Sequence, residues 1–186
     1  MKTVKNFLIV FMTIGLITSC SDDDDTPDPV NEEEVITTMT LTLTPSGGGT
    51  AVTLQSQDLD GDGPNAPVIT VSGALEASTT YNGSVVFLNE LENPAENITL
   101  EVIEEDDEHQ VFYGFTGNSG SSITYNDQDG NGNPLGVSFT LNSGSVSTGN
   151  TLTVVLKHEP TKPNDGSIAN ADGETDVEAT FSFDVN

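Results

Sequence analysis

Apolar residues along this chain recur at every second position, in short runs broken by turn-forming residues. Met39, Leu41 and Leu43 alternate with threonines, and Val52 and Leu54 follow a Gly47-Gly48-Gly49 turn. Val68 to Val71, then Val85 and Phe87, then Ile98, Leu100 and Val102 continue the series. Val111, Tyr113 and Phe115 come next, followed by Ile123 and Tyr125, and by Val137, Phe139 and Leu141. Leu152, Val154 and Leu156 precede a closing run of Val177, Ala179, Phe181, Phe183 and Val185. Alternation with period two, in residues rich in Val, Thr and aromatics, predicts half-buried strands separated by Gly/Asn/Asp/Pro turns. The count is nine or ten strands, and no stretch shows the 3.6 period of an amphipathic helix. The expected fold is all-β: an antiparallel β-sandwich of immunoglobulin-like build.

The first 34 residues break this pattern. Lys2 and Lys5 precede an apolar stretch from Phe7 to Leu16, which has the form of an export signal. It is shorter than the ~20 apolar residues that a membrane-spanning helix needs. From Ser21 to Glu34 there is no hydrophobic run, and Pro27 and Pro29 interrupt the acids, as in a disordered stalk. The expected organisation is a signal over 1–19, a lipid-modified cysteine and acidic tether over 20–34, and one sandwich domain over 35–186.

Charge narrows the choice of partners. The chain holds 4 Lys, no Arg and 30 acids, for a net charge of -26. With Lys2 and Lys5 removed in the signal, the mature chain stands at -28. Such a surface repels phosphate backbones, which excludes nucleic acid as a partner, and it attracts cations. Cys20 is the one cysteine, so no intrachain disulfide can form.

Leu16-Ile17-Thr18-Ser19-Cys20 resembles the lipobox of bacterial lipoproteins, in which the cysteine thiol receives diacylglycerol. Acyl chains contribute roughly 0.8 kcal/mol per buried CH2, and two or more anchor stably. Ser21-Asp22-Asp23-Asp24-Asp25 resembles the surface-export signal of Bacteroidota lipoproteins. The resemblance implies a palmitate-type lipid anchor, the outer membrane, display at the cell surface, and an outer-membrane transporter as a candidate partner. The remainder resembles a group of small Bacteroidota lipoproteins. The similarity is carried by Asp58 to Pro67, the acid-rich run into His109-Gln110, Gly130 to Gly136, His158-Glu159-Pro160 and Asn170 to Asp176. That group is labelled a type 1 periplasmic-binding fold, which is α/β. The helices it requires are not legible here, so the strand pattern decides the expectation.

Three places offer ligand chemistry. Asp58, Asp60 and Asp62 alternate across Asp58-Leu59-Asp60-Gly61-Asp62-Gly63, as oxygens do in the opening half of a calcium loop. The twelfth position is Ile69, where a bidentate Glu belongs, so a neighbouring loop would have to complete the site. Asp127, Asp129 and Asn131 repeat the spacing in Asp127-Gln128-Asp129-Gly130-Asn131, with Ser138 at position twelve. Both stretches also read as Asp-Gly and Asn-Gly turns. Calcium is the candidate cofactor at either loop.

The third place is the pair of histidines. His109 is in phase with Val111, and His158 with Leu156, so each ends a strand, with Glu108 and Glu159 beside them. Imidazole with carboxylate suits a first-row metal, provided the two strand ends meet. Gly117-Asn118-Ser119-Gly120 lacks the spacing of a nucleophile elbow, and no free cysteine is present, so the expectation is not an enzyme. The expected function is a binding lipoprotein that captures a metal or small ligand for uptake; the alternative is a calcium-stabilised structural or adhesive module.

Overall fold

The computed structural model describes residues 34–61 and 63–186. Cys20, Ser21 to Asp25 and Asp62 lie outside the described residues. The strands are β1 (Thr38–Pro45), β2 (Val52–Gln57), β3 (Val68–Val71), β4 (Thr80–Leu88), β5 (His109–Thr116), β6 (Ser122–Tyr125), β7 (Ser138–Asn142), β8 (Ser147–His158) and β9 (Glu174–Val185). They form a six-stranded sheet, β3-β2-β1-β4-β7-β6, and a three-stranded sheet, β5-β8-β9, with every strand pairing antiparallel.

This is an all-β sandwich, and its order is immunoglobulin-like. β1-β4-β7-β6 corresponds to strands A, B, E and D, and β5-β8-β9 to C, F and G. β2 and β3 are an inserted hairpin that widens the first sheet beyond β1. After β3 the chain crosses over, and Leu75 bridges Val185 in parallel, which ties the edges of the two sheets together.

The alternating positions meet between the sheets. Met39, Leu41, Leu43, Phe87, Phe139 and Leu141 from the first sheet face Val111, Leu152, Leu156, Phe181 and Val185 from the second. The outer face of β5 and β8 is also covered, because Phe112 and Val155 are buried there together with Ala171. Ala171 belongs to the 159–173 connection, whose 3-10 turn at Ile168–Asn170 packs on β5.

One predicted strand is a helix. Ile98, Leu100 and Val102 fall in and beside α1 (Thr99–Glu104). Ile98 and Val102 are buried one helical turn apart, while Leu100, which a strand would bury with them, is 64% exposed. A short run with apolar residues at i, i+2 and i+4 satisfies both periods, and here Thr99 decides: its hydroxyl bonds the Phe87 amide and carbonyl, docking the helix on β4.

Candidate metal centre

β5 and β8 pair so that His109 lies directly opposite His158. Their strands run to the same end of the second sheet, and each ring faces the interior because it continues the phase of the core residues. The ring centroids are 4.5 Å apart at 36°. The two strand ends, whose meeting the sequence left open, are neighbours.

The carboxylates that complete the cluster are not the sequence neighbours. Ligand atoms of Glu34, His109, His158 and Asp176 all lie within 4.8 Å of one another. Glu34 Oε1 is 2.9 Å from His109 Nε2, and its Oε2 is 3.6 Å from His158 Nδ1. Asp176 Oδ2 is 4.0 Å from His109 Nε2. The side chains are 7% exposed for Glu34, 6% for His158 and 0% for both His109 and Asp176.

Backbone irregularities place both carboxylates. Glu34 stands ahead of β1, so it approaches from the first sheet while the other three belong to the second. Glu34, the last residue of the expected tether, thus reaches into the cluster with its side chain. Asp176 sits in a bulge: Leu156 pairs Val177 but Lys157 pairs Thr175, leaving Asp176 as the extra residue. Such bulges re-aim side chains at sheet ends. Glu108 lies outside the cluster and is half-exposed, with its carboxylate 3.7 Å from His158 Nε2. Glu159 is exposed and contributes its backbone amide to the Glu108 carbonyl.

Both ring nitrogens of His109 face acceptors. Nδ1 lies 3.2 Å from the Glu105 carbonyl oxygen, which can only accept. Nε2 lies 2.9 Å from Glu34 Oε1, a contact that needs either a proton between the two atoms or a cation in its place. Glu34 Oε2 and His158 Nδ1 are buried without a hydrogen-bond partner. Buried polar atoms are costly when unmade, and these two face the same space. An ion with bonds of about 2.0–2.1 Å holds tetrahedral ligand atoms about 3.3 Å apart; the contacts of 2.9, 3.6 and 4.0 Å bracket that value, and the wider ones would have to close on the ion. The surroundings are electronegative: burial, with the charges of Glu96, Glu105 and Glu34, raises the Glu101 carboxyl above its ordinary value.

The two predicted calcium loops are occupied by their own hydrogen bonds. Asp127 accepts the amides of Gly136 and Ser138, one on each oxygen at 2.7 Å. Asp129 accepts the amides of Asn131 and Asn133, the Asn133 side chain, and Lys162 Nζ at 3.3 Å. Burial pushes the Asp129 carboxyl up, but these hydrogen bonds outweigh it and bring it down to about 2. Asn131 is exposed, its backbone amide held by Asp129. Asp60 Oδ2 accepts the Asn65 side chain at 2.6 Å, which lowers its carboxyl, and Asp58 accepts the Asp60 amide. Among the described residues, the Asp58, Asp60, Asp127 and Asp129 carboxylates accept hydrogen bonds from their own turns.

No family model, curated protein or solved structure matches the chain.

Proposed function

We propose that this protein is a non-catalytic, metal-binding surface module, held at the outer membrane by lipid on Cys20, in which Glu34, His109, His158 and Asp176 take one first-row divalent ion. The observation that carries the reading is the convergence of these four buried ligands around two atoms, Glu34 Oε2 and His158 Nδ1, that no hydrogen bond satisfies. Two imidazoles with two carboxylates suit zinc, and the ion would neutralise the two acids without adding net charge to the interior. Four protein ligands leave no tetrahedral position for water, which argues against hydrolytic chemistry.

The ion would also serve as an inter-sheet cross-link. Glu34 leads into the first sheet and lies 75 residues from His109 on the second. Immunoglobulin domains often place a disulfide between their sheets, which a chain with one cysteine cannot do. A retained ion favours a metal-stabilised surface module over a carrier that hands its metal to a transporter.

Metal analysis of the purified domain after zinc loading and gel filtration tests the site. One zinc per chain is expected, none in His109→Ala, and none when calcium replaces zinc; wild type emerging metal-free would reject the reading. Anchoring has its own test. Cys20→Ala is expected to move the protein from the membrane fraction to the soluble one, still folded; continued membrane partitioning would remove the lipoprotein assignment.

A further inference from the structure

Lys162 stands out because it is buried in a chain with so few cations. Lys157 and Lys162 are the two lysines beyond the signal, against 30 acids. The Lys162 side chain is 7% exposed. Its ammonium bonds backbone within and just after the acid-rich run Glu104 to Glu108. Nζ donates to the Asp106 carbonyl and to the His109 carbonyl, each at 2.6 Å. Its third contact is Asp129 Oδ2 at 3.3 Å. All three donors of the ammonium are thereby used.

These contacts bear on the metal centre through one peptide group. The Glu105 carbonyl accepts the Glu108 amide at 2.9 Å and, each at 3.2 Å, the His109 amide and His109 Nδ1, the last of which sets the tilt of the ring. Glu105 and Asp106 share a peptide bond, so holding the Asp106 and His109 carbonyls fixes the turn from that acceptor to the residue whose ring it orients. Asp129 in turn is immobilised by Asn131 and Asn133. The 159–173 connection that carries Lys162 is itself fastened, with the Thr161 amide on the Ala171 carbonyl.

We infer that Lys162, braced by the Asp127–Asn133 loop, is a positioning residue for the metal centre: it locks the Glu105–His109 turn so that His109 Nε2 points at the ion. The inference rests on the metal-binding reading and assigns a role to a loop whose spacing suggested calcium. Outer partners that orient a ligating imidazole typically carry ten- to hundredfold in metal affinity.

The test uses the whole soluble domain with cobalt(II) and zinc as probes. Lys162→Met is expected to weaken zinc binding by ten- to hundredfold and to shift the visible absorption of bound cobalt, because the ligand field changes when the ring tilts. Two controls separate positioning from general weakening. Lys157→Met removes an exposed contact to the Gly173 carbonyl and is expected to leave both readouts unchanged. Leu43→Ala weakens the core at the opposite end of β1 and is expected to lower stability while leaving the cobalt spectrum intact. If Lys162→Met does not fold, Asp129→Asn replaces it, with a loss of a few-fold and a smaller spectral change expected. Wild-type affinity and spectrum in the Lys162 variant, or in the Asp129 variant when it stands in, would overturn the inference and leave the metal site itself standing. A wild-type domain that binds neither ion would remove both.

Discussion

Zinc at a thousandfold excess over its dissociation constant is expected to raise the melting temperature of the domain by about 8–16 °C. Binding to the folded state alone contributes RT ln(1 + [L]/Kd), or about 4 kcal/mol at that excess. For a domain of this size each kcal/mol moves the midpoint by about 2–4 °C. Sodium at matched ionic strength controls for screening of a chain with a net charge of -26. Calcium is the more searching comparison, because it prefers six to eight oxygens and finds only two carboxylates here. The zinc shift is expected to vanish in His109→Ala and to survive largely in Glu108→Gln, since Glu108 is half-exposed and outside the cluster. A chelator is expected to reverse it. Equal melting in zinc, calcium and sodium would mean that the four side chains form an ion-pair cluster held by protons.

Gly83→Ala is expected to be a costly single-methyl change in the core. Gly83 lies at the centre of β4, directly opposite Phe139 on β7. The Phe139 ring lies across the glycine, so that an added Cβ would fall inside the ring. Phe139 has no room to withdraw, being fully buried with its centroid 4.7 Å from that of Tyr113. Tyr113 is pinned in turn by its hydroxyl on the Gly136 carbonyl, and burial holds that hydroxyl well above its usual pKa. Overpacking of this kind costs about 1–3 kcal/mol, and the upper end is expected here, with a fall in melting temperature of about 6–12 °C. Phe139→Leu alone should also destabilise, by opening a cavity. The two together should cost less than their sum by at least about 1 kcal/mol, because the smaller side chain vacates the space that the methyl needs. Strict additivity, measured by chemical denaturation, would show that the ring accommodates the methyl elsewhere.

Most strands were legible because an inward face is buried and the alternation reports it directly; β3, largely exposed, was legible only as a short β-branched run. Ile98 to Val102 misled for the same reason: five residues fit both periods, and the docking of Thr99 on β4 is a tertiary fact. The histidine pair was legible from phase, since both residues extend core runs. Its carboxylates were not, because adjacency pointed to Glu108 and Glu159, whereas the fold supplies residues from far along the chain. Asp176 reads as the outward partner of Val177, and only the bulge between Leu156 and Lys157 changes its aim. Glu34 ends an acidic run that looks like tether. The one available signal was its place just ahead of the first alternating run, where a side chain can still reach the sandwich. The Asp-rich loops show the converse. Their spacing fits cation ligation, but the same oxygens cap their own turns, and spacing alone cannot tell the two uses apart.

The position of β1 bears on how the protein would carry a mechanical load. A molecule fastened to a cell envelope by its N-terminus receives drag and collisions through the backbone that enters the domain at Glu34. The strand that follows is central in its sheet: β1 pairs β2 from Thr38 to Leu43 and β4 from Thr38 to Pro45. Pulling it out requires two ladders of hydrogen bonds to fail together, where an edge strand would peel from one. The ion at Glu34 would take the strain before either ladder does. An anchor at Cys20 would thus pull on a strand held from both sides, and an ion at Glu34 would stand in series with it as the first element to yield and the first to re-form when the pull relaxes.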